Sequence, residues 1–118
     1  MEIKYSTPVI TIKPELSIFD ALLEMQTKFV KHIVVAVKNI PIGIVTERDI
    51  NRFLGEDKTA HAINEIPIKH VMKKNVITIT EGIEDHFEQC AARMETFKIG
   101  SIVIVNDNGK LVGIISRT

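Results

Sequence analysis

The chain of 118 residues has no tryptophan, one tyrosine and a single cysteine, and its 15 basic residues are matched by 15 acidic ones. Each shortage closes off a class of function. One thiol, Cys90, can form no internal disulfide and is too few for a cysteine-built zinc site, so a reducing cytoplasm is the compartment expected. Balanced charge gives no overall field to attract nucleic acid or an anionic membrane, and any anion site has to be local. Scarce aromatics remove the platforms on which single-stranded bases stack. No apolar run approaches the roughly 18 residues needed to span a bilayer, and the N-terminus lacks the apolar stretch of a signal peptide. A soluble chain with no membrane partner is expected. What remains is aliphatic: 45% of the residues are hydrophobic, enough to fill one core or two small ones sharing an interface.

The sequence repeats itself, and a repeat dictates architecture before any single residue does. Val9-Ile10-Thr11-Ile12 returns as Val76-Ile77-Thr78-Ile79, and Gly43-Ile44-Val45-Thr46 as Gly113-Ile114-Ile115-Ser116, at offsets of 67 and 70 residues. The second copy is longer ahead of Met94, the counterpart of Met25, and in the turn Asn106-Asp107-Asn108-Gly109. Each copy reads β-α-β-β-α, a mixed α/β (α+β) pattern. In the first, Lys13-Pro14 stops a short β-branched run, and Ser17 is placed to cap a helix with Asp20 three residues on. Ile18, Ala21, Leu22, Met25 and Phe29 then form one apolar stripe at helical period. Phe87, Cys90, Ala91, Met94 and Phe97 repeat it. Residues 33–37 and 42–46 are expected strands around Lys38-Asn39-Ile40-Pro41, and residues 102–105 and 111–116 flank the hairpin signal Asn108-Gly109. A further helix is expected from Asp49 to Leu54, ending near Gly55, with a polar connector after it.

These residues resemble a tandem pair of cystathionine-β-synthase-type (CBS) domains, the Bateman module. The likeness covers residues 6–118, with a first motif at 6–55, a connector at 56–69 and a second motif at 70–118 whose final helix is cut short. Its signature is the segment Gly43-Ile44-Val45-Thr46-Glu47-Arg48-Asp49 at a strand-to-helix junction. The resemblance implies two repeats packed through their sheets about a pseudo-twofold axis, clefts for adenosine nucleotides or adenosyl compounds such as AMP, ADP, ATP or S-adenosylmethionine, and homodimers. It implies no catalysis and no obligatory cofactor, but regulation of a partner protein or fused domain. The alternative is a dimerisation or protein-interaction module whose clefts hold nothing.

By the family pattern the first cleft is formed by Thr7, Pro8, Val9, Lys31, His32, Ile33, Thr46, Arg48 and Asp49. The second draws on Lys74, Asn75, Val76, Ser101, Ile102, Ser116 and Arg117. Physical chemistry fits the first set. Gly43 permits close approach to a ligand, and Thr46 stands where a helix begins, beside free N–H groups. Asp49 is an acceptor-only carboxylate able to take both hydroxyls of a ribose, while Arg48 or Lys31 would offset phosphate charge. The first cleft is expected to be the stronger, since position 119, the counterpart of Asp49, lies past the last residue.

Plainer readings stand beside these. Thr46-x-x-Asp49 is also a serviceable helix cap, Arg48 a solvated helix residue, and His32 a half-buried imidazole with no direct role. His61, His70 and His86 lack metal-ligand spacing, so no metal is expected. Glu81, Glu84, Asp85 and Glu88 read as a solvated acidic face at a helix start.

Overall fold

The computed structural model describes residues 3–6, 9–56, 62–74, 76–82, 86–97 and 100–117. The described chain forms two sheets: a three-stranded one in the order β2 (Thr11–Ile12), β3 (His32–Val37), β4 (Ile40–Thr46), and a four-stranded one in the order β1 (Ile3–Ser6), β7 (Leu111–Arg117), β6 (Ser101–Val105), β5 (Thr78–Thr80). Contacts divide the chain into two compact units, residues 10–38 with 42–75, and residues 1–9 and 39–41 with 76–118.

In the first of these, β2 (Thr11–Ile12) lies parallel to β3 (His32–Val37), with Thr11 opposite Val34 and Ile12 opposite Val35. Parallel neighbours need a crossover, and α1 (Ile18–Lys28) supplies it. Ser17 caps α1 as its sequence predicts. Its hydroxyl accepts from the Asp20 N–H at 3.1 Å and the Asp20 carboxylate accepts from the Ser17 N–H at 2.9 Å, a reciprocal capping box. Ile18, Ala21 and Met25 turn inward, as their period requires. Phe29 does not. The helix stops at Lys28, Phe29 takes the left-handed conformation (φ 56°, ψ 42°), and its side chain is 95% exposed. A helical stripe holds only while the helix does, and this residue lies one step past its end.

β3 returns through Lys38 and Asn39, both at positive φ, into β4 (Ile40–Thr46). Two consecutive positive-φ residues match the twist of a two-residue hairpin turn, so Ile40 and Pro41 belong to the strand and not to the turn. Strand β4 runs directly into α2 (Glu47–Glu56). The core gathers Ile12, Ile18, Ala21, Met25, Ile33, Val35, Val45 and Ile50. It also takes Ile66 and Ile68, from the segment expected to be a polar connector. That segment is tied down by its backbone. The Ile18 N–H donates to the Ile66 carbonyl at 2.9 Å and the Ile68 N–H to the Leu16 carbonyl at 2.6 Å, ahead of a short 3-10 turn at Ile68–His70. Its mixed composition conceals Ile63, Ile66 and Ile68, which are enough to close the open side of a small core.

The second unit repeats the crossover: β5 (Thr78–Thr80) lies parallel to β6 (Ser101–Val105), linked through α3 (His86–Phe97). Met94 is fully buried with Ile79, Ile102, Ile104 and Ile115. The side chains of Phe87, Cys90, Ala91 and Phe97 lie outside those described. A tight turn, with Gly109 at φ 78° and the Asn106 side chain accepting from the Asn108 and Lys110 N–H groups, leads into β7 (Leu111–Arg117). One strand was not anticipated from sequence. β1 (Ile3–Ser6) pairs antiparallel with β7, setting Lys4 opposite Ser116.

Candidate functional site at the first strand-to-helix junction

Thr46 is the last residue of β4 and Asp49 stands in the first turn of α2. They bond reciprocally. The Asp49 Oδ2 accepts from the Thr46 N–H at 3.0 Å, and the Thr46 Oγ1 accepts from the Asp49 N–H at 3.1 Å. The helix-cap reading of this pair is therefore physically realised, and it holds the carboxylate still. The Asp49 side chain is only 5% exposed, and its other oxygen, Oδ1, faces the Lys73 amine at 3.5 Å and the Arg52 guanidinium at 3.9 Å. Burying a carboxylate is costly unless it is bonded and paired, and Asp49 is both.

Neighbouring residues are set by the same junction. The Glu47 N–H donates to the Lys31 carbonyl at 3.0 Å, which fixes the start of α2 beside the entry to β3. Lys31 and Arg48 are exposed. His32 is half-buried, and loss of hydration lowers its pKa below the ordinary 6.5. Ile33 is wholly inside the core, so it offers a ligand only backbone. Val9 is partly exposed and belongs to the other compact unit, whereas Thr7 and Pro8 lie outside the described residues.

Sequence reasoning set Lys73 in a basic cluster with Lys69, His70 and Lys74 but did not link it to Asp49, and it missed Met72 beside Gly43. Lys73 is held against β4 by two backbone bonds, Ile44 N–H to Lys73 carbonyl at 3.0 Å and Lys73 N–H to Ile44 carbonyl at 2.9 Å. Gly43 makes that approach possible. A Cβ there would overlap the Met72 sulfur and stand 3.1 Å from the Lys73 carbonyl oxygen. The room expected to admit a ligand is thus taken by the chain itself. A glycine in mid-strand signals close backbone approach, and that signal was legible; which segment approaches was not.

The second set of residues is arranged differently. Lys74 is exposed, Val76 and Ser101 are partly exposed, and Ile102 is wholly within the core. Ser116 is 8% exposed, inside the sheet opposite Ser101 on one side and Lys4 on the other. Asn75 lies outside the described residues, as does the Arg117 side chain. Among the described residues no group of three His, Cys, Asp or Glu side chains is placed to hold a metal ion, and no helix is long and apolar enough to cross a membrane.

Comparison with known proteins agrees with the repeat. The CBS-domain family model matches twice, at residues 2–56 and 68–118. A homoserine O-acetyltransferase of Methanococcus vannielii is 36% identical over 93 residues, covering 78% of this chain but 18% of the relative. The chain spans less than half the length of the curated relatives it matches most strongly. The CBS domain pair of protein MJ0100, solved with 5′-methylthioadenosine and S-adenosyl-L-methionine, superposes with a TM-score of 0.76 at 28% identity, over 94% of this chain and 83% of that one. A CBS domain protein of Pyrobaculum aerophilum, complexed with AMP, has the same fold with a TM-score of 0.80 at 24% identity, over 94% of this chain and 82% of that one.

Proposed function

This chain belongs to the CBS-domain family, and from that premise we propose that it is a regulatory, non-catalytic module that binds an adenosine nucleotide or adenosyl compound beside Thr46 and Asp49. Occupancy is passed to a partner protein or fused domain. The observation that carries this reading is the Asp49 carboxylate: buried, held by the Thr46 N–H, and with Oδ1 directed at two exposed cations and not at a second backbone donor. A ribose hydroxyl can take that oxygen without disturbing the cap. The adenosyl ligands of the MJ0100 pair support the ligand class. Base recognition falls to backbone groups near His32 and Ile33, which suits a chain poor in aromatics.

Ligand binding transmits only if the two states of the protein bind it with different affinity. The test is a thermal melt of the purified chain with AMP, ADP, ATP or S-adenosylmethionine at millimolar concentration. At a hundredfold excess over Kd the stabilisation is about 2.7 kcal/mol, a rise of several degrees for a domain of this size. A folded protein whose melting temperature none of these raises does not work this way.

A second reading, an interaction module, draws on the outward face of α1 and the residue ahead of its cap. Phe19 and Leu23, four residues apart in α1, are 47% and 52% exposed, and Leu16, just before Ser17, is 43% exposed. Asp49→Ala separates the two: loss of ligand with unchanged oligomer size supports sensing, and ligand binding that survives removes Asp49 from the site.

A further inference from the structure

We propose that Lys73 is a specificity-determining residue of this junction, selecting adenosine compounds that carry phosphate over those that are neutral or carry a sulfonium. The inference rests on the adenosine-binding reading above and adds a discrimination to it.

Lys73 is placed by backbone, not by chance contact of a long side chain. Its two bonds to Ile44 set its backbone opposite the β4 residue that stands two places before Thr46. Gly43, with no Cβ, lets the Lys73 carbonyl pack closely against β4. The backbone is pinned, while the amine makes only a long, exposed ion pair with Asp49. At 3.5 Å it stands outside the 2.7–2.9 Å typical of a tight charge-assisted bond, and its side chain is 59% exposed against 5% for the carboxylate. A four-carbon stem lets it turn from Asp49 toward a ligand at little cost.

The local charge then decides what is welcome. Oδ2 of Asp49 is committed to the Thr46 N–H, so Lys73 and Arg52 both lie on the Oδ1 side, two cations about one buried carboxylate. A ligand hydroxyl that takes Oδ1 brings the rest of the molecule into a positive field. A phosphate there gains the Lys73 ammonium, a neutral thioether gains nothing, and a sulfonium meets like charge, which is the repulsive element that specificity requires. The MJ0100 pair was solved with two adenosyl compounds that lack phosphate, and this chain is inferred to differ from it in preference.

Calorimetric titration of the whole chain with AMP, 5′-methylthioadenosine and S-adenosylmethionine tests this, using the native protein, Lys73→Gln and Lys73→Arg. The native protein is expected to bind AMP at least about tenfold more tightly than the other two, and Lys73→Gln to weaken AMP about tenfold while 5′-methylthioadenosine stays within about twofold. Lys73→Arg restores AMP binding. Equal weakening of AMP and 5′-methylthioadenosine by Lys73→Gln, unchanged AMP binding in that variant, or a native preference for either phosphate-free compound overturns the inference and leaves the adenosine site standing. If the native chain, with an intact melting transition, binds none of the three, the adenosine-binding reading itself falls and takes this one with it.

Discussion

Gly43-Ile44-Val45-Thr46 and Gly113-Ile114-Ile115-Ser116 are nearly the same tetrapeptide, yet they finish differently. After Thr46 the chain turns at once into α2, and the hydroxyl caps it by accepting from the Asp49 N–H. Strand β7 instead continues to Arg117, flanked by β6 on one edge and β1 on the other, and Ser116 is buried within that sheet. One junction presents a capped, buried carboxylate beside two exposed cations. The other presents a paired strand. A repeat in sequence fixes which strands form, but what lies beside each strand settles what its terminal hydroxyl can do.

The largest effect that would probe this contrast comes from the cores beneath the two junctions. Ile50→Ala, on the buried face of α2, and Ile115→Ala, in β7, each remove a fully buried side chain and should cost about 2–5 kcal/mol in urea unfolding. Only Ile50→Ala should also abolish ligand binding in protein that remains folded; equal loss in both variants would break the assignment of the site to the first junction.

Gly43→Ala comes next. The added methyl group collides with Met72 and crowds the Lys73 carbonyl, and overpacking of this kind costs about 1–3 kcal/mol. Hydrogen exchange at the Ile44 and Lys73 amides should quicken selectively. Asp49→Asn removes the charge facing Lys73 and weakens the cap, an effect of about 0.5–2 kcal/mol on melting, together with loss of adenosine binding. Ser116→Ala, at the equivalent hydroxyl, should leave ligand affinity unchanged.

The smallest effect is one of pH, and it falls on one unit alone. Burial lowers the His32 pKa, so the unfolded chain takes up a proton at the ordinary value near 6.5 while the folded protein still resists. The stability that His32 contributes as a neutral ring is complete above that value and declines as the solution is acidified below it. The counterpart position holds Ser101, which does not titrate. A His32→Gln variant should show a flatter melting temperature between about pH 7 and 5, and hydrogen exchange should locate the acid-sensitive opening in β3 and not in β6.

Much of the fold was legible because its signals are local. The Ser17–Asp20 capping box needs only three residues of separation, and the inward set Ile18, Ala21, Met25 follows from helical period. Asn108-Gly109 marked its hairpin correctly, since positive φ at Gly109 is a property of the residue itself. Phe29 went astray at a helix end, where periodicity no longer constrains the side chain. The isoleucines of residues 63–68 were hidden by their polar neighbours. At the candidate site, the Thr46–Asp49 pair could be found from a motif, but the pairing of Lys73 with Asp49 could not, because no spacing rule links the two.

By itself the sequence determined a duplicated β-α-β-β unit, the caps of α1 and α2 and the inward stripe of α1 up to Met25, all set by short-range sterics and by the need to remove aliphatic surface from water. Tertiary structure decided that Met72 and Lys73 occupy the space beside Gly43, that β1 joins β7, and that two matching hydroxyls sit in unlike surroundings. Those contacts join residues far apart along the chain, and a backbone edge or a carboxylate accepts whichever partner folding brings to it.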